Sequence, residues 1–431
     1  QIGNVDSGKS TLVGCLTKQV IDNGRGSARS VVFRHRHEAE NGRTSSVATE
    51  IMGFDSADTQ VAVDVKASRA RAWQTVHDRS NRSVTLIDLC GHERYLKTTV
   101  FGLTGMLPDY ALVVVGSNMG VSRMTKEHIG IAASLKLPLI VVVTKIDLAP
   151  PDVYKKTMNQ VSRTLKLARK MPYLIRDMDC VATAAKSIVT DRVTPVIRCS
   201  SVTGEGLDLL RALMSKLQPR SIADALTGTS GEEPAAPSSA GHAQVDSVFN
   251  VPGVGTVAAG TVLRGAIPVG ATMLLGPDST GQFIPVTVRS IHVQYTPQEV
   301  AYPGGSAAFA IRPRGKTDQK KGWVRKGMSL VHPSLVPKSY WEFSATVCVL
   351  HHQTTLSVGY SPMMHIGVVT QSVRINKITD LDGKPLEALR TGDHAILTCR
   401  FMYRPEFISP GSVLLFREGR AKGVGSVDAV M

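Results

Sequence analysis

The sequence predicts an α/β domain, with a parallel-rich sheet and helices on both faces, followed by two all-β barrel domains. Three observations carry this. Residues 1–220 alternate short Val/Ile-rich runs with helical stretches. Residues 221–241, SIADALTGTSGEEPAAPSSAG, are small and Pro/Gly-rich and read as a linker. Residues 242–431 hold many short β-branched runs broken by Gly and Pro, with no long helical period. A chain of 431 residues also exceeds one ordinary core.

In the first region, strands are expected at 84–89, 111–115, 140–144 and 195–199, and helices near 125–135, 153–168 and 207–217. Strand–helix alternation with continuous apolar strands means a sheet buried on both faces. The β-rich remainder is expected to divide near 337–341, giving barrels over 242–337 and 338–431. The chain opens at Gln1 without an initiator Met, two residues before a Gly-rich motif. The start of the first strand, and any targeting segment, is therefore expected to be missing.

Hydrophobic residues make up 42% and charged residues 20%, which suits packed cores rather than disorder. No apolar run approaches the roughly 18 residues of a membrane span. The cysteines Cys15, Cys90, Cys180, Cys199, Cys348 and Cys399 are scattered without a C-x-x-C pair. That argues against a zinc site or disulfide scaffold and favours a reducing, cytoplasmic setting. Net charge is +15, and residues 1–220 alone carry 31 Lys/Arg against 20 Asp/Glu. A polyanion such as RNA is a natural partner, and solubility alone is the other reading.

Gly3-Asn4-Val5-Asp6-Ser7-Gly8-Lys9-Ser10 matches G-x-x-x-x-G-K-[ST] ahead of an apolar-periodic stretch. Such a loop turns its N–H groups toward phosphates, and the helix that follows adds its positive end. Asn4, Val5, Asp6, Ser7, Gly8, Lys9, Ser10 and Thr11 are the expected phosphate contacts. Lys9 reaches the β- and γ-phosphates, and Ser10 takes Mg²⁺. Asp88-Leu89-Cys90-Gly91 closes the expected 84–89 strand. A carboxylate ending a buried strand needs a cation, so Asp88 is expected to hold Mg²⁺ through a water. The Gly91 N–H is expected to sense the γ-phosphate.

Thr144-Lys145-Ile146-Asp147 follows another strand and resembles a guanine-reading element. The Asp147 carboxylate would accept hydrogen bonds from N1–H and the 2-amino group, which adenine cannot supply as a pair. Ser200, Ser201 and Val202 follow the next strand, where their backbone can meet the guanine O6. These elements fall in order, each at the C-terminal end of an expected strand, where open α/β sheets bind ligands. The pattern implies binding of GTP and GDP.

Longer strings carry a family resemblance. GNVDSGKS and DLCGHERY are similar to the loops of elongation factor Tu-like GTPases, and GVGTVAAGTVLRGAIPVGATMLLGP resembles their second-domain signature. DNGRGSARSVVFRHRHEAENGRTSSV, YLKTTVFGLTGMLPDYALVVVGSNMG and FREGRAKGVGSV are very similar to the GTP-binding protein 1/2 family. The resemblance implies GTP hydrolysis to GDP and phosphate, contact with aminoacyl-tRNA and the ribosome, and in some members a link to the exosome. It implies that His92 positions the attacking water, although His92 can also be read as a surface side chain. Thr44 becomes the switch-I threonine on Mg²⁺, with Thr49 and Ser45 as competitors. Asp6 becomes a ligand for K⁺ or Na⁺, or else a turn carboxylate.

The pattern departs from the family in three places. Arg43 stands where an apolar residue precedes the switch threonine, so that Val5 gates alone or the gate is built differently. Cys90 replaces Pro, and Thr144 stands where Asn is commoner. Basic clusters at Arg25, Arg29, Arg34 and Arg36, and at Arg312, Arg314, Lys316, Lys320, Lys321, Arg325 and Lys326, are candidate RNA contacts or solvated loops. Phe33 and Trp323 are base-stacking candidates or packing residues. A monomer is expected. The rival functions are a GTPase subunit of a metabolic enzyme such as sulfate adenylyltransferase, and a GTP-dependent RNA-decay scaffold.

Overall fold

A computed structural model describes residues 1–33, 38, 44, 47–220, 240–315, 322–419 and 421–431. They form two compact units: residues 1–103 with 108–219, and residues 104–107 with 220–431. Ser45, Arg34, Arg36, Arg43, Lys316, Lys320 and Lys321 lie outside the described residues.

The first unit contains, in order, β1 (Ile2–Gly3), α1 (Lys9–Lys18), α2 (Ser27–Ser30), β2 (Ala48–Phe54), α3 (Arg69–Arg79), β3 (Arg82–Asp88), α4 (Leu96–Thr104), β4 (Ala111–Gly116) and α5 (Arg123–Ser134). It continues with β5 (Leu139–Thr144), α6 (Pro151–Leu167), β6 (Met171–Leu174), α7 (Met178–Ser187), β7 (Val193–Arg198) and α8 (Leu207–Lys216). Among the described residues β1, β4, β5, β7 and β6 form one parallel sheet in that order. Its central strands, ALVVVG and LIVVVT, are buried at every position. Both faces are covered, so neither strand alternates with polar residues. Leu12 and Leu16 of α1, Leu210 and Leu213 of α8, Val114, Val142 and Ile197 share one core, while α5 packs on β1, β4 and β5.

Two expectations for this region change. The strand predicted at 84–89 is β3, and its described pairing is antiparallel to β2, from Ala48↔Asp88 to Phe54↔Arg82. Its burial alternates along Arg82–Asp88, with Asp88 buried at its end. The stretch between α6 and β7, where no strand was expected, carries two further elements. It forms β6, on the far edge of the sheet beside β7, and α7, capped by Asp177 accepting from the Cys180 N–H.

The second unit is all-β. It contains β8 (His242–Val251), β9 (Gly255–Arg264), β10 (Ile267–Pro268), β11 (Thr272–Gly276), β12 (Ile284–Val293), β13 (Thr296–Gln298), β14 (Val300–Ala301), β15 (Ser306–Pro313) and β16 (Ser329–Val331). Neighbour pairing runs β11–β16–β8–β9–β15–β12, and β12 pairs back onto β11, so the ring closes. After it come β17 (Glu342–His351), β18 (Leu356–Ser357), β19 (Met363–Ile366), β20 (Val369–Thr379), β21 (Ala388–Leu389), β22 (His394–Phe401), β23 (Val413–Glu418) and β24 (Ala421–Val430). Here β17, β22, β20, β19, β23 and β24 form a closed barrel. Each ring has its own apolar centre, Phe309 with Val288 and Leu330 in one and Phe343 with Leu397 and Phe416 in the other.

A buried carboxylate joins the two rings. Glu406 is 1% exposed; one oxygen accepts from Arg325 Nη2 at 2.8 Å and the other from Arg404 Nε at 3.0 Å. Gln371 Nε2 also donates to it, at 2.9 Å. Arg325, read from sequence as part of an RNA-contacting or solvated basic loop, is thus committed to holding the rings together. Trp323 packs on the first ring's core and donates from Nε1 to Thr256. Removing one member of such a buried set strands the others. Glu406→Ala is expected to destabilise this unit by about 3 kcal/mol, read from urea denaturation, and Glu406→Gln by less. Unchanged midpoints would show that the cluster does not hold the rings together.

Candidate functional site

The Gly-rich loop follows β1 and runs directly into α1. Asp6 and Gly8 take positive φ values of 58° and 85°, which reverse the chain twice before the helix begins. Ser7 Oγ and Lys9 Nζ both donate to the Asn4 carbonyl, at 2.9 and 2.7 Å. Lys9 is therefore folded back along the loop and is only 7% exposed. Asn4, Val5 and Thr11 are partly exposed on the same turn, and Asp6 is exposed.

Asp88 ends β3 beside this loop at 1% exposure. Its Oδ2 accepts from Ser10 Oγ at 2.6 Å, and Ser10 Oγ lies 2.8 Å from Thr44 Oγ1. Its Oδ1 is buried with no hydrogen-bond partner among the described residues. Burial pushes the Asp88 carboxyl above the usual carboxylate range, against the pull of Lys9 and Ser10. Burial likewise lowers the Lys9 ammonium, against the pull of Asp88. Among the described residues, burial thus outweighs the compensation that each charged form receives. An anionic phosphate would satisfy Lys9, and a divalent cation would satisfy Asp88. Two hydroxyls and a carboxylate with an unused oxygen form the hard-oxygen donor set that suits Mg²⁺. Of the switch-I candidates among the described residues, Thr44 contacts Ser10 and Thr49 lies in β2, paired opposite Ile87.

Gly91 follows at very close range. A Cβ there would lie 2.5 Å from Lys9 Nζ and 2.6 Å from the Gly3 carbonyl oxygen, so only glycine fits without displacing the loop. Cys90 is fully buried, and burial raises its thiol to about 11, which makes it a packing residue rather than a nucleophile. His92 is exposed and caps the 3₁₀ turn Glu93–Tyr95, its Nδ1 accepting from the Arg94 N–H at 3.1 Å. That bond places the neutral ring's proton on Nε2 and leaves Nε2–H as the outward donor. Glu38 is a residue that motif reading missed. It is 1% exposed, and its charge raises both Asp88 and Cys90.

The elements expected to read the base gather at the ends of β5 and β7. Thr144 is buried and donates from Oγ1 to the Ser7 carbonyl at 2.7 Å. A hydroxyl therefore provides the tie between β5 and the phosphate loop at the position where Asn is commoner. Lys145 has φ 59°, and its Cε lies 4.0 Å from where a Gly8 Cβ would be. Its stem thus covers the loop. Asp147 is exposed. Its charge is also felt at Cys199, whose thiol is pushed up to about 12, chiefly by burial and then by Cys15 and Asp147. Cys199 immediately precedes Ser200. Ser200 Oγ accepts from the N–H groups of Val202 at 3.2 Å and Thr203 at 3.1 Å. The Val202 N–H is therefore already engaged, and the Ser201 N–H has no acceptor among the described residues.

Phosphate loop, buried acidic strand end and guanine-type loop together define a P-loop GTPase, an enzyme of the GTP-hydrolysing class. Residues 1–219 match the model of the elongation factor Tu GTP-binding domain. GTP-binding protein 1 of Xenopus laevis is 43% identical over the whole chain, and human GTP-binding protein 2 is 39% identical. The chain therefore belongs to the elongation factor Tu-type family of translational GTPases, alongside GTP-binding proteins 1 and 2. It spans 62% of the first relative's length and 68% of the second's. The fold resembles translation elongation factor SelB of Methanococcus maripaludis, solved with the GTP analogue GppNHp. The TM-score is 0.67 at 19% identity, covering 100% of this chain and 78% of that one.

The close approach at Gly91 generates a test. Gly91→Ala is expected to weaken GTP binding by about tenfold or more, read by titration of a fluorescent GTP analogue. Unchanged affinity would mean that the segment yields freely and that the approach has no role.

Proposed function

We propose that this chain binds GTP with Mg²⁺ and hydrolyses it to GDP and phosphate while conveying aminoacyl-tRNA to ribosomes, or acting on stalled ones. The observation that carries the reading is the convergence of Lys9, Ser10, Thr44 and Asp88 at the loop, with Thr144, Lys145, Asp147 and Ser201 behind it. In this reading the loop N–H groups and Lys9 hold the β- and γ-phosphates. Ser10 and Thr44, with Asp88 through a water, would hold Mg²⁺, whose charge would offset that of the triphosphate.

The Gly91 N–H meets the γ-phosphate. His92, presenting Nε2–H, orients the attacking water rather than deprotonating it in this tautomer. Exposed Asp6 is available to K⁺ or Na⁺ beside the phosphates. Thr44 joins the phosphate side to the segment on which it sits, so loss of the γ-phosphate would release that segment. Positive charge over the first unit supports an RNA partner, and the elongation factor relationship selects tRNA and the ribosome among RNAs. Contact with the exosome is a further partner by resemblance.

The test is GTP turnover with and without ribosomes, beside aminoacyl-tRNA binding in GTP and in GDP. Stimulated turnover and GTP-selective tRNA binding are expected. His92→Ala should keep GTP affinity and lose about 10²-fold or more of the stimulated rate. No stimulation by ribosomes would move the reading to a GTPase with another effector. A fully active His92→Ala would remove His92 from the mechanism.

A further inference from the structure

A loop that the nucleotide motifs do not include is built onto the guanine side of the site. Asp22, four residues after α1, is 7% exposed. Its backbone N–H donates to the Ser201 carbonyl at 2.8 Å. Its carboxylate is saturated from within its own loop. Oδ2 accepts from the Gly24 and Gly26 N–H groups at 2.9 and 3.1 Å, and Oδ1 from the Ala28 N–H at 2.9 Å and Ser27 Oγ at 3.4 Å. Asn23 Oδ1 adds a bond from the Arg25 N–H at 2.9 Å. The result is a compact, internally fastened loop over residues 22–28 whose one bond outward to the guanine loop is to Ser201.

That bond falls at an informative place. The peptide groups on either side of Ser201 are pinned at three points. The Ser200 carbonyl accepts from the Gly204 N–H at 3.0 Å, the Val202 N–H donates to Ser200 Oγ at 3.2 Å, and the Ser201 carbonyl is held by Asp22. The group left over is the Ser201 N–H. A backbone donor on an otherwise fastened loop, beside the Lys145 and Asp147 element, is a preorganised contact for a carbonyl oxygen on a base. Cys15 Sγ approaches the same Ser201 carbonyl at 3.8 Å, so α1 supports it from below.

We infer that Asp22 is a specificity-determining positioning residue: by holding the Ser201 carbonyl it fixes residue 201, so that the N–H on the preceding peptide, itself held through the Ser200 carbonyl, meets the 6-oxo group of guanine. The inference rests on the proposed reading that residues 200–202 face the base. Asp22 touches no nucleotide. It acts through Ser201, and its carboxylate keeps residue 22 in place to do so.

The experiment compares GDP with 6-thio-GDP, which keeps the phosphates, N1–H and 2-amino group but carries a weaker acceptor at position 6. Dissociation constants are measured by titration calorimetry for the parent chain, Asp22→Ala and Asp22→Asn. The parent is expected to bind 6-thio-GDP about tenfold more weakly than GDP. Asp22→Ala should lose about tenfold for GDP and little for 6-thio-GDP, so that the penalty for sulfur largely disappears. Asp22→Asn keeps one acceptor oxygen and the loop's shape, and should show a smaller change in the same direction if the alanine variant fails to fold. Equal losses for both nucleotides, with the sulfur penalty intact, would assign Asp22 a purely structural role and overturn the inference. A parent chain indifferent to sulfur would overturn the base-contact reading itself, and the inference with it.

Discussion

The structure of the nucleotide unit turns on one buried carboxylate. Asp88 has lost nearly all contact with solvent, and one of its oxygens has no partner among the described residues. An ionised group in that position is tolerable only where a cation and charge-assisted hydrogen bonds compensate it. Ser10 supplies one bond, and Lys9 lies within electrostatic reach. The phosphate loop, the Thr44 segment and the end of β3 therefore have a common reason to be adjacent. None of the three alone makes an environment in which Asp88 is stable as a carboxylate, and together they make one suited to a metal triphosphate. Gly91 lets the next peptide press onto Lys9, which carries the constraint from the acid toward the segment bearing His92.

Much of this was legible in the residues because the physics is local. ALVVVG and LIVVVT are continuous apolar runs, and only strands covered on both faces tolerate that. The phosphate loop needs glycine and lysine at fixed spacing, so its place was visible to within a residue of where α1 starts. Other features have no local signature. β2 pairs antiparallel with β3 through contacts between segments some thirty residues apart. β6 and α7 are a short excursion whose strand, MPYL, is half-exposed at an edge and carries no buried run. The hold of Asp22 on Ser201 spans most of the nucleotide unit's sequence, and nothing in the residues around Glu38 marks it as buried.

Charge was the least reliable local signal. A run of Arg and Lys between 312 and 326 reads as a solvated or RNA-facing loop, yet Arg325 is spent on Glu406. Its Nη2 alone donates to both the Pro277 carbonyl, at 3.1 Å, and the carboxylate, at 2.8 Å. The second unit is thereby fastened by a polar set with several partners, Gln371 and Arg404 included. Substitution at Thr144 teaches the complementary lesson. A residue unlike the commoner one retains the required bond, because a hydroxyl donor to Ser7 does the necessary work.

The central claim is that the pocket between the phosphate loop and the ends of β5 and β7 is built for a guanine nucleotide and its magnesium ion. The most direct measurement is calorimetric titration of the folded chain with GTP and with ATP, each in magnesium. The account predicts a preference for GTP of about 10²-fold or more, since adenine would leave Asp147 and the Ser201 N–H without their partners. Equal affinities, or no binding of either nucleotide, would contradict it.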